Sequence, residues 1–142
     1  MTISRSNIVD RLQYAEWVVQ FAENWAALPA GSIKNRTRMS SINYVRRMVI
    51  AYCYWEINLS QEQIGKIVKR NHPAIHHQLR IHNESHKTMG NTLRLTDPVY
   101  CRDYEIFKED LEVQSRETNI EYLESEIKRL NKLVRVLKET NK

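Results

Sequence analysis

Apolar residues recur at three- and four-residue intervals along most of this chain, the period of a helix with one buried face. Over residues 6–28 the stripe is Ile8, Leu12, Ala15, Val19 and Ala22, widened by Trp17, Val18, Phe21 and Trp25. So broad a face predicts a helix that buries much of its girth, either completing the core or docking a partner. Pro29-Ala30-Gly31-Ser32 ends it. A second helix is predicted over residues 41–57, with Ile42, Val45, Met48, Val49, Tyr52 and Trp55 able to face inward. Residues 60–82 then read as two short helices around a tight turn. Ser60 followed by Gln63 is a capping-box start. Ile64, Ile67 and Val68 supply the apolar stripe of the first short helix. Gly65 sits inside it, at a cost of about 1 kcal/mol against Ala, which suggests a backbone passing close by. The helix breaks at Lys69-Arg70-Asn71-His72-Pro73, and Pro73 suits the first turn of the next helix. There Ile75 and Leu79 face inward, while Asn71, His72, His76, Gln78 and Arg80 can point elsewhere. One helix buried, the next polar and displayed, is a helix-turn-helix pattern.

Residues 84–96 are polar and predict a loop. Asp97-Pro98 opens a further helix, with Asp as N-cap and Pro in the first position. Tyr100, Tyr104, Phe107 and Leu111 can lie back on the domain, and from Val113 the period becomes seven. Val113, Ile120, Ile127 and Val134 take one seam position; Arg116, Leu123, Leu130 and Leu137 take the other. β-Branched residues at a with Leu at d favour a parallel two-stranded coiled coil. The alternatives are one amphipathic helix folded on its own domain, or a larger bundle. Gly and Pro number three each, and no strand-like alternation persists, so the expected class is all-α. The expected organisation is an N-terminal amphipathic helix over 1–30, a helix-turn-helix domain over 31–96, and a long helix over 97–142 that oligomerises from about 113.

Charge sharpens this. The chain carries a formal +5, unevenly spread: residues 31–87 hold ten Lys/Arg against three Glu, and residues 97–142 hold nine against eleven acids. Positive charge thus gathers around the helix-turn-helix, as a footprint for phosphates would. No apolar run reaches the ~18 residues that span a bilayer, and the N-terminus lacks a signal peptide's apolar core. A cytoplasmic protein, bacterial or phage-encoded, is expected. Cys53 and Cys101 stand apart, and Cys53 reads as a buried thiol. His72/His76 and His82/His86 are spaced i,i+4, but only Glu84 could join them, so no metal site is expected. No phosphate-binding G-x-x-x-x-G-K-S/T loop and no catalytic constellation appears. The expectation is a non-enzyme without cofactor or small-molecule ligand.

The run Ile64-Gly65-x-x-Val68-Lys69-Arg70-x-His72-Pro73-x-Ile75-x-His77 resembles the signature of the DNA-binding domain of the bacterial replication initiator DnaA. The likeness extends back through Tyr44-Val45-Arg46-Arg47-Met48 and the basic Asn35-Arg36-Thr37-Arg38, over about residues 35–87. It implies an all-α helix-turn-helix bundle of the DnaA C-terminal, Trp-repressor-like type. It also implies double-stranded DNA as partner, with the helix from about His72 in the major groove. In that family Arg, Asp, His and Thr at the turn read bases; here the positions hold Arg70, Asn71, His72 and Pro73. Asn for Asp, Pro for Thr, and Ala74 where a hydroxyl is common, change the hydrogen-bond chemistry. DNA binding therefore carries over better than target sequence. Arg46 matches a DNA-contacting Arg of the family, and His77 a family His that packs or faces phosphate. Arg36, Arg38, Arg46, Arg47, Lys66, Lys69, His77 and Arg80 are the expected phosphate contacts, with Arg36 and Arg38 on a connector that could equally be a solvated loop. A homodimer through Val113, Ile120, Leu123, Ile127, Leu130, Val134 and Leu137 would set two heads side by side on a palindromic site. The reading is then a dimeric transcriptional regulator or accessory replication factor. Other readings are an assembly protein, such as a phage particle component, and an adaptor working through the Trp-rich N-terminal helix.

Overall fold

The computed structural model describes residues 8–37, 39–89, 92–95 and 97–140. Its elements are α1 (Ile8–Trp25), α2 (Ser40–Trp55), α3 (Gln61–Val68), α4 (His72–Ser85), β1 (His86–Met89), β2 (Thr92–Leu95) and α5 (Pro98–Thr140). The regular elements of the described residues are helices apart from one antiparallel hairpin, in which His86 pairs with Leu95 and Met89 with Thr92. That hairpin replaces the loop expected over 84–96. Its strands are too short for alternation to register, but the Gly90-Asn91 pair between them is a hairpin-type connection in sequence. No helix among the described residues is long and apolar enough to cross a membrane.

All five helices feed one core. From α1 come Tyr14, Ala15, Val18, Val19 and Ala22, so the broad stripe of the first helix completes the core. Tyr14 and Tyr52 share a buried hydrogen bond of 3.0 Å, which satisfies two hydroxyls taken out of water. Phe107 of α5 is the aromatic centre: its ring lies 5.2 Å from Trp25, 6.0 Å from Phe21 and 6.4 Å from Tyr52. The Trp25 indole N–H donates to Asp110 at 2.9 Å, tying α1 to α5. Trp55 does not join the core as expected. It is 53% exposed, and its indole N–H reaches Asn83 at 3.1 Å. Position 55 is the last of α2, and past the helix end it is Ile57 and Leu59, 1% and 2% exposed, that turn into the core instead.

α5 is one 43-residue helix with two characters. Asp97 caps it, accepting from the Tyr100 N–H at 3.0 Å. Tyr100, Tyr104, Phe107, Leu111 and Ser115 then bury against the other helices. His82 of α4 is seated between the first two, bonded to the Tyr100 hydroxyl at 2.5 Å and edge-on to Tyr104 at 4.6 Å. Beyond Ser115 the helix leaves the domain. Ile120, Leu123, Ile127, Leu130, Val134 and Leu137 are between 48% and 61% exposed. Val99 and Ile106, fourteen and seven residues before Val113, share its phase and are exposed as well.

Candidate nucleic-acid interface

The α3–α4 turn is built from local rules. Ser60 and Gln63 cap each other: the Gln63 N–H donates to the Ser60 hydroxyl at 3.1 Å, and the Ser60 N–H to Gln63 Oε1 at 2.9 Å. At the other end Lys69 takes a left-handed conformation, φ 56°, and the Arg70 N–H returns to the Gly65 carbonyl at 2.9 Å. That return explains Gly65. A Cβ there would stand 2.6 Å from the Arg70 carbonyl oxygen, a backbone atom, so only Gly lets the turn close. Asn71, just ahead of α4, caps it, its Oδ1 accepting from the Ala74 N–H at 3.0 Å. Pro73 follows inside the first turn.

Arg46, expected at a phosphate, is 3% exposed. Its guanidinium donates to the carbonyls of Ile33 at 2.8 Å and Asn35 at 3.0 Å, and to Asn43 Oδ1 at 3.3 Å. Burial first, and the nearby Arg70 second, push it down to about 10, so it stays charged near neutrality. Its donors already hold the connector, which removes it from the phosphate set. Arg47 is also turned inward. Its Nε donates to Gln78 at 2.9 Å, and its head lies 5.7 Å from the centre of the Tyr100 ring. Gln78 in turn donates to Asn43 at 3.0 Å. The two arginines therefore knit α2 to the connector, α4 and α5. Asn43 and Gln78 complete that network; the sequence placed Gln78 only among the residues free to point away from the core, and Asn43 went unnoticed, a polar residue on a half-buried helical face.

Arg70 lies beside Arg46, donating to the Lys69 carbonyl at 2.9 Å and to the Asn35 carbonyl. Burial and the neighbouring Arg36 lower its proton affinity. Asn71 is exposed, but its carbonyl oxygen is committed to the cap. A two-armed pairing with adenine needs both ends of the amide, so the base contact expected there reduces to its NH₂ group. Arg36, Lys66, Lys69, His72, Pro73, His76, His77 and Arg80 are exposed. Arg38 lies outside the described residues.

An open cleft between the connector, the start of α2 and the α3–α4 turn gathers several of these. Arg36, Arg46, Lys69, Arg70, Asn71 and His77 line it with Thr37, Asn43 and Ala74. Among the described residues four cationic side chains line it and no carboxylate does. His76 and Arg80 line a second hollow with Tyr54, Trp55 and Leu79. Among the described residues no group of three His, Cys, Asp or Glu could hold a metal. Both cysteines are buried free thiols, and burial pushes Cys53 up to about 12. No family model, curated protein or solved structure matches the chain.

Proposed function

We propose that this chain is a DnaA-like helix-turn-helix protein that binds double-stranded DNA, with α4 in the major groove and the cationic cleft against the phosphate backbone. The observation that carries the reading is the cleft: among the described residues Arg36, Lys69 and Arg70 line it with the buried Arg46 behind them, and no carboxylate does. Crowding like charges costs free energy that an anion would return. Arg36, Lys66, Lys69, Arg70 and Arg80 hold phosphates, giving affinity and register. His72 and the Asn71 amide meet base edges at the exposed start of α4. Arg46 and Arg47 act from behind by fixing the connector. Two copies pair through the exposed half of α5. The chain serves as a transcriptional regulator or accessory replication factor, without catalysis. The half-exposed apolar seam of α5 also suits an assembly protein, in which the same pairing is the working part.

Lys69 offers a test that separates folding from binding. A non-Gly residue in the left-handed region costs roughly 1 kcal/mol, so Lys69→Gly should relieve strain while removing a cation. Combined with Arg36→Ala, it should raise or preserve the melting temperature and weaken duplex binding at least tenfold. Wild-type affinity should fall with salt along a slope implying about five or more released ions. Undiminished affinity in the double variant, or a flat salt dependence, rejects the interface. Selection on random duplexes then distinguishes a regulator, which enriches a motif, from an assembly protein, which does not.

A further inference from the structure

The exposed half of α5 carries a charge pattern that the heptads alone do not reveal. Between residues 117 and 126 there are four glutamates and no Lys or Arg; between 128 and 138 there are five Lys/Arg and no acid. We infer that two copies of α5 pair antiparallel, the acidic stretch of each lying along the basic stretch of the other. This rests on the pairing proposed above and is independent of DNA binding.

The seam can be packed in either direction. Ile120, Leu123, Ile127, Leu130, Val134 and Leu137 form six apolar positions, about half exposed, on the side of α5 away from Phe107 and Leu111. In a parallel pair each meets its own copy. In an antiparallel pair Ile120 meets Leu137, Leu123 meets Val134, and Ile127 meets Leu130. Every layer then joins one β-branched residue to one Leu, so reversal loses no apolar layer, although β-branched a with Leu at d is by itself the pattern of parallel dimers.

The flanks decide. In a parallel coil the residue before each a position faces the residue after the next d position of its mate. Glu112 then faces Glu117, Asn119 faces Glu124, Glu126 faces Asn131, and Leu133 faces Lys138. None of these is an opposite-charge pair, and the first is repulsive. Arg116 also meets Arg116 inside the seam. Reversed, Glu117 lies beside Lys138 at both ends of the pair, and Arg116 falls past the last apolar layer. The heads then sit at opposite ends. Ser115, the last residue of α5 buried on its own domain, is held on the order of 40 Å from its mate along the axis, at ~1.5 Å per residue.

The test uses the full chain with Ile120→Cys and Leu137→Cys as separate variants under mild oxidation, Cys53 and Cys101 being buried. Neither variant alone should crosslink, and an equimolar mixture should give a disulfide-linked dimer. Because seam substitutions can weaken pairing, a spin label at exposed Gln114 gives a second reading. The antiparallel pair puts two labels about 43 Å apart, and a parallel pair puts them below about 20 Å. Self-crosslinking of either variant, or the short label distance, overturns the direction alone. A chain that sediments as a monomer at every concentration overturns both the direction and the pairing beneath it.

Discussion

At Gly65 two opposing effects can be weighed. An added methyl gains about 1 kcal/mol of helix propensity. It also forces a Cβ to within 2.6 Å of the Arg70 carbonyl, which cannot retreat without opening the Lys69 turn. Overpacking of this kind costs about 1–3 kcal/mol, so the clash wins. Gly65→Ala should lower the denaturation midpoint and weaken duplex binding in the same variant, since the turn that aims α4 is what gives way. An unshifted midpoint would mean that the turn absorbs the methyl. Gly65, the Ser60–Gln63 box and the Asp97 cap were legible because each obeys a rule within a few residues of chain. Arg46 was legible by phase and misread by charge. It falls four after Ile42, three before Val49 and seven before Cys53, on the buried face of α2. Its charge argued for phosphate. The acceptors that claim it, the carbonyls of Ile33 and Asn35, belong to a connector whose path no local pattern discloses.

Helix α5 shows the same division between what period reveals and what partners decide. Its start, its core stripe and its heptad were all readable; that it runs unbroken to Thr140 follows from the absence of Gly or Pro after Pro98. The hairpin ahead of it was not readable, because four-residue strands leave no period to detect. The docked part of α5 carries a pH prediction. Burial, the first cause in each case, raises Tyr100 and Tyr104 above the ordinary tyrosine value near 10, and likewise Tyr44, which also bonds to Asp103. Cys53 is pushed up to about 12. In all four the folded state favours the protonated, neutral form. Their stabilisation is fully present below the unfolded pKa and is lost as pH rises above it. The melting temperature should therefore hold level to about pH 8.5, where an unfolded cysteine begins to ionise, and fall steeply above about pH 10. Tyr104→Phe should lower stability at neutral pH little and flatten the alkaline fall. An equally steep fall in that variant would move the cause away from α5.

At the scale of the whole molecule, the proposed function divides the work between a basic head and a charge-divided tail. The head closes its own core by Ser115, so a chain ending there loses the apolar seam of α5 and none of the residues buried on the domain. It should melt cooperatively at a temperature close to that of the full chain and sediment as a monomer. The DNA binding proposed for it should change in a way that exposes the assembly. Each head displaces its own counterions, and log affinity falls with log salt in proportion to the phosphates neutralised. A tethered pair binds its second head at high effective concentration, so the intact dimer sums the slopes of both heads and gains affinity without a new contact. The truncated chain should thus show about half the salt slope and a loss of affinity on the order of a hundredfold or more on a two-site duplex, with little change on a single half-site. With heads at opposite ends of an antiparallel coil, that gain should peak when the half-sites are more than one helical turn apart, one turn being about 34–36 Å. Adjacent half-sites, which suit heads set side by side, should bind hardly better than one. If truncation leaves the slope unchanged on every spacing, the tail does not pair heads on DNA, and the exposed seam belongs to some other assembly.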